Sequence, residues 1–164
     1  MPRIYVSVVA PATGSRNQRS VGAIMDDTLM SRFPDRITMV GGEIIRRYEN
    51  PDVDPLHRAI EESREHLRPW MAWASDQLPT RAEREAVFAE WNAEPRGITY
   101  GVFDSDGRVL AGSGLHDRGG PTDIEIGYWV HACATGQGLA TRIAQTLTSL
   151  AFDSNGPRRP CRPR

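Results

Sequence analysis

Cysteine is scarce in this chain. Two stand among 164 residues, Cys133 and Cys161, and neither belongs to a CxxC pair or a His/Cys ligand cluster. Two thiols cannot staple a disulfide scaffold, which points to a reducing cytoplasm. Charge of one sign is lacking as well: 20 Lys and Arg face 21 Asp and Glu, for a net charge of −1. That balance speaks against a protein that neutralises a nucleic-acid backbone, and against a basic face held on a membrane. No apolar run approaches the roughly 20 residues that span a bilayer. The run Ile4 to Ala10, behind a single Arg3 and ahead of Ala10-Pro11-Ala12, sits at the short edge of a secretory signal core. The four histidines (His57, His66, His116, His131) show no metal-ligand spacing, so no metal is expected. What remains is a hydrophobic content of 39%, enough for the packed core of one domain.

Residues 1–29 carry no sustained period and are expected to form a poorly ordered extension, with the domain over 30–153. Ile37 to Tyr48 reads as a first strand, with Gly41-Gly42 as a bend or bulge inside it. Asp54-Pro55 opens a helix, because Asp caps and Pro fits the first turn; its apolar stripe is Leu56, Ala59, Ile60 and Leu67. Thr80-Arg81-Ala82-Glu83 is a capping box that opens a second helix to about Asn92. Ile98–Phe103 and Arg108–Leu115 flank the turn Asp104-Ser105-Asp106-Gly107, a hairpin. Ile124, Ile126, Tyr128 and Val130 alternate with Glu125, Gly127, Trp129 and His131, the period of a strand. Leu139, Ile143, Leu147 and Leu150 then follow helical spacing. From Ser154 the pattern stops, and Pro157 to Arg164 contains only Pro, Arg and Cys, an unstructured tail over 154–164. The predicted order is β–α–α–β–β–β–α, an α/β layered fold on a mixed, mainly antiparallel sheet.

The chemistry sits between that last strand and helix. Thr135-Gly136-Gln137-Gly138-Leu139-Ala140-Thr141 is a glycine loop at a helix start. Amides at such a start converge on one spot with the positive end of the helix dipole behind them, which suits a phosphate or pyrophosphate. Read from these residues alone, the ligand could be any phosphate-bearing molecule.

The order of elements, taken with this loop, resembles the GNAT superfamily of acyl-CoA N-acyltransferases. Gly138 and Ala140 match the last two fixed positions of the family loop; Thr135 stands where Arg or Gln is usual. His66-Leu67-Arg68-Pro69-Trp70-Met71-Ala72-Trp73-Ala74 and Glu125-Ile126-Gly127-Tyr128-Trp129-Val130 look like the RimJ/RimL-like branch that acetylates ribosomal-protein N-termini. The resemblance covers about residues 37–153. It implies acetyl-CoA held by residues 135–141, and an amine acceptor that is either a protein N-terminus or a small molecule. It also implies direct attack by the neutral amine in a ternary complex. The backbone N–H of Val130 or a neighbour would stabilise the oxyanion, Glu125 would act as base, and Trp70, Trp73 and Trp129 would border the acceptor. The family continues past the third helix with a fifth strand, a fourth helix and a closing hairpin. This sequence shows no such pattern, so the fourth strand is expected to offer an apolar edge, open to pairing with another chain or a second copy. The competing expectation is a truncated, inactive copy that binds CoA weakly or not at all.

Overall fold

The structure, a computed structural model, describes residues 6–9, 33–71, 73–74, 79–117 and 123–154. Its centre is a six-stranded antiparallel sheet in the order β1-β6-β5-β4-β3-β2. The strands are β1 (Val6–Val9), β2 (Arg36–Thr38), β3 (Ile44–Arg47), β4 (Gly97–Phe103), β5 (Val109–Asp117) and β6 (Asp123–Val130). The helices are α1 (Val53–Glu62), α2 (Arg64–Leu67), α3 (Arg81–Ala93) and α4 (Leu139–Ser154), with 3₁₀ turns at Asn50–Asp52 and Ala132–Ala134.

Period-two alternation divides the central strands cleanly. Ile98, Tyr100, Val102, Ala111, Leu115, Ile124 and Ile126 form one face and pack against Leu139, Ile143, Leu147 and Ala151 of α4. Burial of Leu139, Ile143 and Leu147 contributes roughly 1.5–3 kcal/mol each. The opposite face carries Phe103, which joins Val109, Tyr48 and the apolar stripes of α1 (Val53, Leu56, Ala59) and α3 (Phe88) in a second core. Toward β6 the same face runs to glycine: Gly112, Gly114 and Gly127 leave the sheet there without side-chain bulk.

The predicted capping box forms as read. The Thr80 N–H donates to Glu83 Oε2 at 2.6 Å, and the Glu83 N–H points back at Thr80 Oγ1 at 3.4 Å. The turn after β4 closes because Asp104 Oδ1 accepts from the Asp106 and Arg108 N–H groups, both at 2.9 Å, with Gly107 at φ +78°. Arg46 on β3 forks onto Asp52 at 2.6 and 2.8 Å and lies 3.9 Å over the Phe103 ring, which pins the start of α1 to the sheet.

Three expectations are corrected. Residues 37–48 are not one bulged strand but the hairpin β2–β3, in which Met39 and Glu43 close a turn through Gly42 at φ +89°. The first helix breaks at Ser63 into α1 and α2. The edge of the fourth predicted strand, β6, is not open along its length. Val6–Val9 pairs antiparallel with Asp123–Ile126, so part of the stretch expected to be without order is a strand. The other residues of 1–29 and the tail 155–164 lie outside the described residues.

Candidate active site

The site begins where β6 ends. The His131 N–H donates to Leu110 O on β5 at 2.8 Å. N–H directions alternate along a strand, so the Val130 N–H points to the opposite edge. There β1 reaches only as far as Ile126, and on that edge Gly127–Val130, paired with β5 on the other, has no strand partner among the described residues. The chain then turns through Ala132–Ala134 into the glycine loop. Gly136 and Gly138 take φ +73° and +72°, a region glycine enters without steric cost. Thr135 Oγ1 donates to Ala132 O at 2.9 Å, Gln137 Nε2 to Cys133 O at 2.9 Å, and Arg142 Nη1 to Gln137 O at 2.8 Å. These bonds occupy side chains and carbonyls; the amides of Gly136, Gln137 and Gly138 are not among the loop's donors. The first-turn amides of α4 have no intrahelical acceptor either. Several backbone N–H groups at a helix start are thus without a protein acceptor among the described residues, a chemistry that suits an anion.

Two cavities flank this point. One, of about 560 Å³, is lined by Leu67, Trp70, Val130, Thr135, Gly136, Gly138, Leu139 and Ala140. The other, of about 550 Å³, lies over the glycine floor of the sheet. Its floor is Gly112, Gly114 and Gly127, its walls are Trp73, Phe88, Trp91 and Trp129, and its polar groups include Glu125, His116 and Arg84. The cavities share Met71, Tyr128 and Trp129, at the unpaired end of β6.

The expected site residues divide between them. The loop residues Thr135, Gly136, Gly138, Leu139 and Ala140 surround the first cavity with Val130 and Trp70, while Gln137 and Thr141 are exposed beside it. Glu125 and Trp73 line the second, and Trp129 lines both. Trp73 and Trp129 meet edge to face at 6.1 Å. Glu125 sits directly across from His116 on β5. Sequence reading did not single out Met71, Trp91, His116, Tyr128 or Arg84 as partners in one cleft. His116 follows from pairing register, which a single strand does not carry. His131, at the end of the predicted strand alternation, is 7% exposed and bonded through Nε2 to Glu62 Oε2 at 3.2 Å. Among the described residues no His, Cys, Asp and Glu side chains converge as a metal site, and no helix is long and apolar enough to cross a membrane.

A glycine loop at the start of α4, following the last strand of an antiparallel sheet flanked by helices, is the arrangement of an α/β acyltransferase-like fold. Residues 44–161 match the acetyltransferase (GNAT) domain, and the chain belongs to that family. It is 27% identical over 113 residues to YdaF of Bacillus subtilis (strain 168), whose name assigns it provisionally as a ribosomal N-acetyltransferase. That alignment takes in 66% of this chain and 61% of YdaF, so the chain spans about three fifths of that relative's length. Among solved structures, the microcin C7 self-immunity acetyltransferase MccE, in complex with acetyl-CoA and AMP, superposes with a TM-score of 0.64 at 17% identity. That match covers 76% of this chain and 71% of MccE. Mycobacterium smegmatis RimJ, in complex with CoA-disulfide, gives 0.56 at 19% identity, over 68% of this chain and 57% of RimJ. These two likenesses are of fold, and RimJ carries the name of the branch that the sequence motifs resemble.

Proposed function

We propose that this chain transfers an acetyl group from acetyl-CoA to an amine. The observation that carries the reading is the junction of the two cavities at Tyr128 and Trp129, beside the unpaired end of β6. The diphosphate of the donor lies on the amides of residues 136–141, where the positive end of α4 and the left-handed glycines suit it. The pantetheine arm runs along Gly127–Val130, and the thioester carbonyl accepts the outward N–H of Val130. One such donor contributes on the order of 3 kcal/mol to the transition state. The acceptor occupies the aromatic cavity and attacks as the neutral amine. An α-amine has a pKa near 8, so a modest base suffices. Glu125 takes the proton, directly or through water. The tetrahedral intermediate collapses to amide and CoA thiolate. Cysteine usage supports a cytoplasmic setting.

The test is release of free CoA thiol from acetyl-CoA in the presence of a panel of amines, with acetyl-CoA binding followed by calorimetry. Turnover well above the uncatalysed rate supports the reading. Binding without turnover makes the chain an inactive copy. Competition by ATP at equal affinity makes the loop a site for phosphate-bearing ligands in general.

A further inference from the structure

The acceptor cavity holds a cation that the proposed reaction does not use. Arg84, in the first turn of α3, is 5% exposed and lines the cavity floored by Gly112, Gly114 and Gly127. Its Nη2 donates to Pro79 O, and among the described residues no carboxylate lies within ion-pair distance of it. Glu61, Asp54 and Glu83 act on it only through space, and burial pushes its pKa down. A buried arginine is normally neutralised by a carboxylate, because an unpaired buried charge is costly. Tyr48, 5% exposed and lining the same cavity, has a buried hydroxyl with no hydrogen-bond partner among the described residues. The wall of the same cavity is aromatic, with Trp73, Phe88, Trp91 and Trp129. The cavity thus has a carboxylate, Glu125, on the strand that carries the junction, a guanidinium on α3 without a contacting carboxylate among the described residues, and a ring-lined body.

We infer that the acceptor is an amine with an apolar, ring-sized body and a carboxylate on the far side from the amine, held by Arg84. This rests on the acceptor reading of the cavity. A polyamine fits poorly, since its second cation would meet Arg84. A bidentate guanidinium–carboxylate pair in a water-poor site is the strong form of such a contact.

Four probes share one body: phenethylamine, para-(aminoethyl)benzoate, its methyl ester, and tyramine O-phosphate. Spermidine is the polycationic control. The expected result is a kcat/KM for the benzoate at least about tenfold above phenethylamine and the ester. In Arg84→Met that ratio falls to about one, and Arg84→Lys recovers part of it. A purely structural Arg84 would lower all probes together and leave the ratio unchanged, which overturns the proposal. So does a preference for spermidine. A preference for tyramine O-phosphate over the benzoate replaces carboxylate with phosphate and overturns the class named here. Binding of the same probes, read as quenching of Trp73, Trp91 and Trp129 fluorescence, separates this inference from the acetyl-transfer reading. Arg84-dependent binding of the benzoate without thiol release leaves the inference standing and sinks the transferase. Thiol release with no dependence on the carboxylate does the reverse.

Discussion

The imidazole of His131 bonds Glu62 across 69 residues of sequence and holds the end of β6 to the end of α1. Its Nδ1 accepts from the Cys133 N–H at 3.1 Å, so Nε2 carries the proton and donates to Glu62 Oε2 at 3.2 Å. Beside it, fully buried Ser63 Oγ accepts from the Ala132 N–H at 3.0 Å. Together these bonds fix the turn from which the glycine loop departs. Ser63→Ala strands the Ala132 N–H at about 1–3 kcal/mol, and His131→Ala removes the acceptor of the Cys133 N–H together with the bond to Glu62. Either substitution is expected to weaken acetyl-CoA binding about fivefold or more, with the KM for the amine little changed. Calorimetric titration with acetyl-CoA checks this. Equal damage to both substrates would mean that the bonds support the fold as a whole.

Gly138 is glycine for its backbone. At φ +72° a side chain costs roughly 1–2 kcal/mol, while an ideal Cβ there would make only ordinary contact, 3.5 Å from Arg142 Nη1. Gly138→Glu adds a negative charge where the diphosphate is proposed to sit. Gly107→Ala is the control, since φ is +78° and nothing lies within 4 Å. Both variants should melt at lower temperature by similar amounts, but only Gly138→Glu should lose acetyl-CoA binding in calorimetry.

Local chemistry was legible in the sequence wherever it needed only neighbours. The Thr80–Glu83 box, the Asp104–Gly107 turn, the alternation of β6 and the glycine loop each satisfy their own hydrogen bonds or burial within a few residues. What required register was not legible. Val6–Val9 is too short to show a period, and its place against β6 is a long-range pairing. Gly41-Gly42 suits a bulge or a turn equally well, and only the pairing of Ile37 with Ile45 decides between them. Arg84 shares the helix face of Val87, Phe88 and Trp91 by 3.6-residue spacing, but its charge masks that position, since the other charges of the helix face water. The cleft itself is a property of two strands in register, where Gly112, Gly114 and Gly127 fall on one face.

Gly127 is the open tile of that floor: an ideal Cβ on it meets nothing within 4 Å. By contrast, a Cβ on Gly112 would stand 2.3 Å from Trp129 Nε1. Gly127→Val therefore fits the strand but fills the proposed acceptor cavity. The KM for the amine is expected to rise about tenfold, the cost of overpacking a filled site. Acetyl-CoA affinity should hold. Steady-state kinetics with each substrate varied in turn reads both; unchanged amine kinetics would move the acceptor elsewhere.

The capping box gives a pH signature. Hydrogen bonds from the Thr80 hydroxyl and then its backbone N–H hold the Glu83 carboxyl below its ordinary 4.5. A carboxyl lowered on folding stabilises the native state above its unfolded pKa, and that contribution is lost as pH falls through the folded value. Glu83→Gln should therefore lower Tm at neutral pH. The gap to the parent protein should close as pH drops below 4.5. Thermal melts from neutral pH into acid would show this. A gap that persists unchanged in acid would assign the effect to helix propensity instead.

Glu125 makes the sharpest claim about chemistry. It lines the proposed acceptor cavity across from His116, on the strand face that also bears Trp129. If it takes the proton of the amine, Glu125→Gln should lower kcat about 10- to 100-fold at neutral pH. General bases typically contribute 10²–10⁴-fold, and an amine with pKa near 8 needs less than most. The deficit should shrink as pH rises past the pKa of the amine, where the neutral nucleophile forms without help. A charge-positioning role predicts a different outcome, a raised KM with an unaltered pH profile. Measuring kcat and KM for the amine separately, from below pH 7 to above pH 9, distinguishes the two, and a parallel profile for parent and variant removes Glu125 as the base.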